Sequence, residues 1–230
     1  MPETWFALAH DDLDPAENMA WDEVLLETAG QLGGPVLRTY GWREPAATFG
    51  YFQRWREIAT LTNLRPLIRR PTGGGLVRHE NDWTYALVLP AGHPWHRLRA
   101  VASYERLHTW LQRALARLDV VTRLAPAPQL DGPGQCFIGA ERHDLLHAGR
   151  KLAGAAQRRT RRGLLIQGSV QPAPPGLTRA AWHAALRETA TADWGVHWRS
   201  LPPETERARA AAARQRAAEK FARPEYNQRR

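Results

Sequence analysis

Three consecutive glycines, Gly73-Gly74-Gly75, separate two short extended runs, Pro66-Leu67-Ile68-Arg69-Arg70 and Leu76-Val77-Arg78-His79. A glycine triplet is costly in backbone entropy, so it marks unusual torsions or the close approach of a ligand. Two arginines precede it, a pairing suited to holding a carboxylate or phosphate. A strong β run over residues 83–89 follows it. The triplet therefore predicts either a ligand-facing turn within a β-rich region or a plain hairpin turn.

Around this feature the chain alternates helical and extended patterns. Residues 15–27 read as a helix, with Asp14 as cap and Pro15 in its first turn. Residues 100–118 form an amphipathic helix pattern, and residues 180–190 and 204–222 read as further helices. Strands are expected at residues 36–40, 46–51, 119–124, 151–157 and 163–170, the last two joined as a hairpin through the basic turn 158–162. There is no regular βαβ rhythm, which predicts an α+β (mixed α/β) domain. At 230 residues one large domain suffices. The expected division is a catalytic core over residues 1–175 and a helical extension over residues 176–230 packed on it.

Composition narrows the compartment and the chemistry. No apolar run approaches the roughly 18–20 residues of a membrane span, and the first residues carry no secretory pattern. One cysteine, Cys136, excludes an intramolecular disulfide and a multi-cysteine metal site. A cytoplasmic, reducing setting is expected. The net charge of +9 favours acidic partners, and no zinc-finger, RNP or basic-zipper signature points to nucleic acid. Of the 32 basic residues only Lys151 and Lys220 are lysines. A lysine in so arginine-biased a chain marks a place where a compact ammonium does what a planar guanidinium cannot.

Cys136 follows a Pro/Gly-rich loop, Lys151 comes fifteen residues later, and small residues including Gly154 and Ala155 follow the lysine. A thiolate takes an acyl group from a thioester, and an ammonium stabilises the thiolate or the developing oxyanion. A buried cysteine and a surface lysine are the structural alternatives. His79 stands alone and has no metal-ligand pattern around it, so no metal is expected.

Arg69-Arg70-Pro71-Thr72-Gly73-Gly74-Gly75-Leu76-Val77-Arg78-His79 resembles the Arg-Arg-x-Ser/Thr-Gly-Gly-x-x-Val-x-His signature of the lipoate/biotin protein ligase superfamily. Gly149-Arg150-Lys151-Leu152-Ala153-Gly154-Ala155-Ala156-Gln157 is similar to its lysine segment, and Asn18-Met19-Ala20-Trp21-Asp22-Glu23 to its opening helix. The resemblance implies a mixed sheet flanked by helices and an apolar acyl tunnel. It implies that Arg70, Gly73, Gly74, Gly75, Val77 and His79 line the pocket, together with Gly154 and Ala155 after the lysine. Lys151 would be the essential lysine. His79 is followed by Glu80-Asn81-Asp82 rather than the Asp-x-Gly-Asn of ATP-dependent ligases, and the placing of Thr84-Tyr85 and Cys136-Phe137 resembles the cysteine-dependent octanoyltransferases. Gly75-Leu76 departs from the Arg-Ala common in those enzymes. The biotin-ligase Gly-Arg-Gly-Arg-x-Gly-Arg run is absent.

On this resemblance the expected partners are octanoyl-acyl carrier protein or another octanoylated donor, and a lipoyl domain or glycine-cleavage H protein as acceptor. The enzyme would be a monomer that needs no cofactor. Two alternatives stand beside it. One is a lipoate ligase using ATP and Mg. The other is a non-catalytic binder of acyl carriers or nucleic acid.

Overall fold

The computed structural model describes residues 2–128 and 139–229. Its eleven strands among those residues are β1 (Thr4–Leu13), β2 (Val36–Trp42), β3 (Ala46–Phe49), β4 (Leu67–Arg69), β5 (Val77–His79), β6 (Trp83–Pro90), β7 (Arg123–Leu124), β8 (Leu145–His147), β9 (Arg150–Arg159), β10 (Gly163–Val170) and β11 (His197–Arg199). The helices are α1 (Pro15–Glu27), α2 (Trp55–Ile58), α3 (Ala100–Ala116), α4 (Arg179–Trp194), α5 (Pro203–Arg216) and α6 (Pro224–Asn227). Eight strands form one sheet in the order β11-β1-β2-β6-β10-β9-β8-β7, and β4-β3-β5 form a second, smaller one. β1 is parallel to β2 and β11, whereas β2, β6, β10 and β9 pair antiparallel. The sheet is thus mixed, with helices on both faces, in agreement with the expected class.

Strand alternation divides the core in two. On β6 and β10, Tyr85, Leu87, Leu89, Leu164 and Ile166 pack with Trp110 of α3 and Trp182 of α4. The intervening Ala86, Val88 and Leu165 face Met19, Leu25 and Leu26 of α1 and Ala213 of α5. This period of two is why the strands lack an outer polar face: both faces are covered. Asp14 caps α1, accepting from the backbone N–H of Ala16 at 2.8 Å.

Several elements depart from the sequence expectations. β1 and β11 are strands that the helical and extended patterns did not reveal. Residues 176–230 supply not only α4, α5 and α6 but also β11, which pairs with β1. The strand expected over residues 119–124 shrinks to β7. The residues before it close α3: Asp119 adopts φ +60° and the Val120 N–H bonds to Leu115 O at 3.0 Å. The helix expected to run to residue 222 changes at Ala217–Phe221 to a π turn. There Phe221 is buried, and Lys220 Nζ lies 2.7 Å from both Glu23 carboxylate oxygens.

Candidate active site

The glycine-rich turn is held against β3 at very short range. The Tyr51 N–H donates to Thr72 O at 2.8 Å and the Arg70 N–H to Phe49 O at 3.0 Å. Gly50 is required beneath the turn, because a Cβ there would overlap the Gly74 carbonyl. Gly74 has φ +83°, a torsion that only glycine adopts cheaply. Space lies open over Gly73.

The two arginines before the glycines act differently. Arg69 is fully buried; its Nη1 donates to Tyr51 O and Gln53 O at 2.8 and 2.7 Å, and its Nη2 to Asn227 O at 3.0 Å. It joins α6 to the frame of the turn. Arg70 folds back over the turn, with Nη2 at 2.6 Å from Gly73 O and 2.7 Å from Gly75 O.

Two buried polar networks fix the turn to the large sheet. In the first, Thr72 Oγ1 donates to Gln167 Oε1 at 2.8 Å, and Gln167 Nε2 donates to Asp22 Oδ2 at 2.6 Å. Asp22 also accepts from Arg38 Nη1 at 2.7 Å and from Tyr40 OH at 2.8 Å. Arg38 Nε donates to His10 Nδ1 at 2.9 Å. Burial, aided by Arg38, holds the His10 pKa down at about 3, which leaves that nitrogen free to accept. Asp22 and Arg38 are fully buried, so each charge depends on the other.

In the second network His79 is bound at both ring nitrogens, Nδ1 at 2.9 Å from Asp82 Oδ2 and Nε2 at 2.9 Å from Thr48 Oγ1. Trp42 stacks on its ring with centroids 3.8 Å apart. Asp82 Oδ2 also accepts from Thr84 Oγ1 and Ser169 Oγ at 2.8 and 2.7 Å. Burial raises the Asp82 pKa, but His79 and these hydroxyls outweigh it and hold the carboxyl below its usual range. The two networks enter the sheet at Gln167 and Ser169 of β10, the cross-strand partners of Ala156 and Gly154 on β9.

Lys151 lies on that same strand. Its Nζ is 2.7 Å from Asp144 Oδ2, and the two side chains are 7% and 6% exposed. The lysine tail crosses over Gly154, where a Cβ would collide with Cε and Nζ. Behind the pair, His108 donates from Nδ1 to His143 O at 2.6 Å, and burial pushes its pKa down. Nearby, burial raises the Tyr104 pKa to about 12. A buried ammonium of this kind can stabilise an anion that forms within its reach.

The motif residues are thus distributed over three elements. Arg70, Gly73, Gly74 and Gly75 form the turn, Val77 and His79 lie on β5, and Lys151, Gly154 and Ala155 lie on β9. Cys136 lies outside the described residues. Lys220, the other lysine, serves the frame: it pairs with Glu23 and stands 4.7 Å from the Tyr226 ring centroid. Among the described residues no group of three His, Cys, Asp or Glu side chains is arranged to hold a metal ion. Sequence reasoning missed Asp144, although a signal existed. A turn at residues 148–149 folds the segment before β8 onto the start of β9, so a carboxylate seven residues before the lysine lands beside it.

The profile of the lipoyl protein ligase A/B catalytic domain matches residues 14–172, and the chain belongs to that family. The octanoyltransferase LipM of Carboxydothermus hydrogenoformans is 36% identical over 174 residues, 73% of this chain and 65% of that protein. The octanoyltransferase LipM of Staphylococcus aureus is 32% identical over 184 residues, 74% of this chain and 66% of that protein. The match therefore spans just under two thirds of these relatives' length. Among solved structures, lipoate-protein ligase A bound with ATP superposes with a TM-score of 0.75 at 17% identity, covering 99% of each chain. The bi-partite lipoate protein ligase of Thermoplasma acidophilum gives 0.71 at 18% identity, covering 99% of this chain and 96% of that one. At such identities the likeness is one of fold.

Proposed function

We propose that this protein is an octanoyltransferase of protein lipoylation. It takes the acyl group from an octanoylated carrier and passes it to a lysine of a lipoyl domain or glycine-cleavage H protein. In the first step the Cys136 thiolate attacks the donor thioester, a new C–S bond forms, the donor's C–S bond breaks and the donor leaves as a thiolate that takes a proton from solvent. In the second, the acceptor amine attacks that thioester, an amide forms, the amine proton passes to solvent and the Cys136 thiolate is regenerated. Thioester exchange is near balance and amide formation is downhill, so neither ATP nor a metal is required. Lys151 stabilises the charge on sulfur or on the tetrahedral oxygen. Arg70, Gly73, Gly74, Gly75, Val77 and His79 shape the acyl pocket, with Gly154 and Ala155 as its floor beside the lysine. The setting is cytoplasmic and the protein a monomer. Among the described residues no helix is long and apolar enough to cross a membrane.

One observation carries this reading: one of only two lysines in the chain is buried and ion-paired on the strand that meets the glycine turn's supporting networks. The test is ATP-free transfer from octanoyl-acyl carrier protein to a lipoyl domain. Cys136→Ser is expected to lower the rate by at least about 10³-fold, the scale of losing a covalent nucleophile. Lipoyl-AMP formation from ATP and lipoate that is indifferent to Cys136→Ser would instead make the protein a ligase.

A further inference from the structure

Asp144 has no part in the scheme above, yet it is more firmly anchored than a simple counter-ion needs to be. Its Oδ2 accepts from the Glu141 N–H at 2.7 Å, and its backbone carbonyl accepts from the Ala125 N–H at 2.8 Å. The residue before it, His143, has φ +70°. A non-glycine residue there is strained, and such strain collects where a side chain must be aimed. The His143 carbonyl is fixed in turn by His108 Nδ1 at 2.6 Å. Asp144 is thus a post held from three sides, and the ammonium of Lys151 rests on it over the bare Cα of Gly154.

We propose that Asp144 is the positioning residue of the transfer reaction, holding the Lys151 ammonium in the one orientation from which it reaches the reacting acyl group. This rests on the acyl-transfer reading. Lysine has four rotatable side-chain bonds and no fixed fork, so without a partner its ammonium is spread over many orientations. Asp144 removes that freedom before substrate arrives, as electrostatic preorganisation requires. Gly154 belongs to the same device, because any side chain there would displace the lysine tail.

The scarcity of lysine makes the test direct. Protein labelled with ¹⁵N-lysine has only two side-chain ammonium groups, Lys151 and Lys220, and Lys220→Arg assigns them. In the parent protein both are ion-paired and should give ammonium cross-peaks. In Asp144→Asn the Lys151 cross-peak should shift or exchange away while that of Lys220 stays. The kcat of ATP-free transfer should fall about 10²-fold, the cost of misplacing a catalytic group by an ångström, with little change in KM. If Asp144→Asn folds poorly, Asp144→Glu decides: it keeps the charge and should retain the Lys151 cross-peak and recover about tenfold of the lost kcat. An Asp144→Asn variant with an unmoved Lys151 cross-peak and parental kcat overturns the proposal. So does an Asp144→Glu variant whose Lys151 cross-peak persists while transfer is no better than without the carboxylate. A parent protein that transfers nothing without ATP refutes the function itself, and this inference with it.

Discussion

Lys151→Arg should retain the fold and lose transfer by about 10²–10³-fold in kcat/KM, the range seen when a donor to a developing oxyanion is removed. The substitution keeps a positive charge and can still meet Asp144, so the melting temperature should move little. A guanidinium is wider and planar and projects its charge through a fork. The lysine tail lies directly over Gly154, where an added Cβ would meet Cε and Nζ, so the wider guanidinium would present its charge from a different place. Elsewhere the chain uses arginine for all but one of its other 31 basic residues, so arginine at this position would be unremarkable if charge alone were required. The checks are rate measurement and thermal melting on the same preparation. Near-parental transfer by Lys151→Arg would reduce the lysine to a structural cation.

Asp22→Ala should destabilise the fold by about 3–5 kcal/mol, the cost of leaving one partner of a buried ion pair alone. Asp22 and Arg38 are both fully buried, so solvent does not soften the loss. The same carboxylate accepts from Tyr40 and Gln167, which would also be left without it. For a chain of this size the melting temperature should fall on the order of 10 °C. Because Gln167 holds Thr72, the glycine-rich turn should loosen too, raising KM for the acyl donor. A melting temperature within about 2 °C of the parent would show that the network contributes little net stability.

Some of this was legible in the residues and some was not, for identifiable reasons. The β9–β10 hairpin was readable because a basic turn separates two runs of extended pattern, and the glycine turn because three glycines in succession are rarely neutral. The helix cap at Asp14 and the amphipathic pattern of α3 followed from spacing, whereas a sheet flanked by helices was what the family resemblance implied. β11 has only three residues, too few for a period of two to emerge, and becomes a strand because β1 offers it an edge. Arg38 and Gln167 are polar residues within apolar strands, and their partner Asp22 is 16 residues away from one and 145 from the other. Pairings of that kind arise from the folded topology. Asp144 is the intermediate case: Gly149 just before the lysine is a turn signal in the sequence, but the anchoring of the carboxylate arises only in the fold.

The central claim is that acyl transfer runs through a thioester on Cys136, and intact mass tests it most directly. Purified protein is incubated with octanoyl-acyl carrier protein in the absence of ATP. The account predicts a gain of one octanoyl group, removed by hydroxylamine and absent in Cys136→Ser. An unmodified mass, together with lipoyl-AMP formation once ATP and lipoate are supplied, would contradict it.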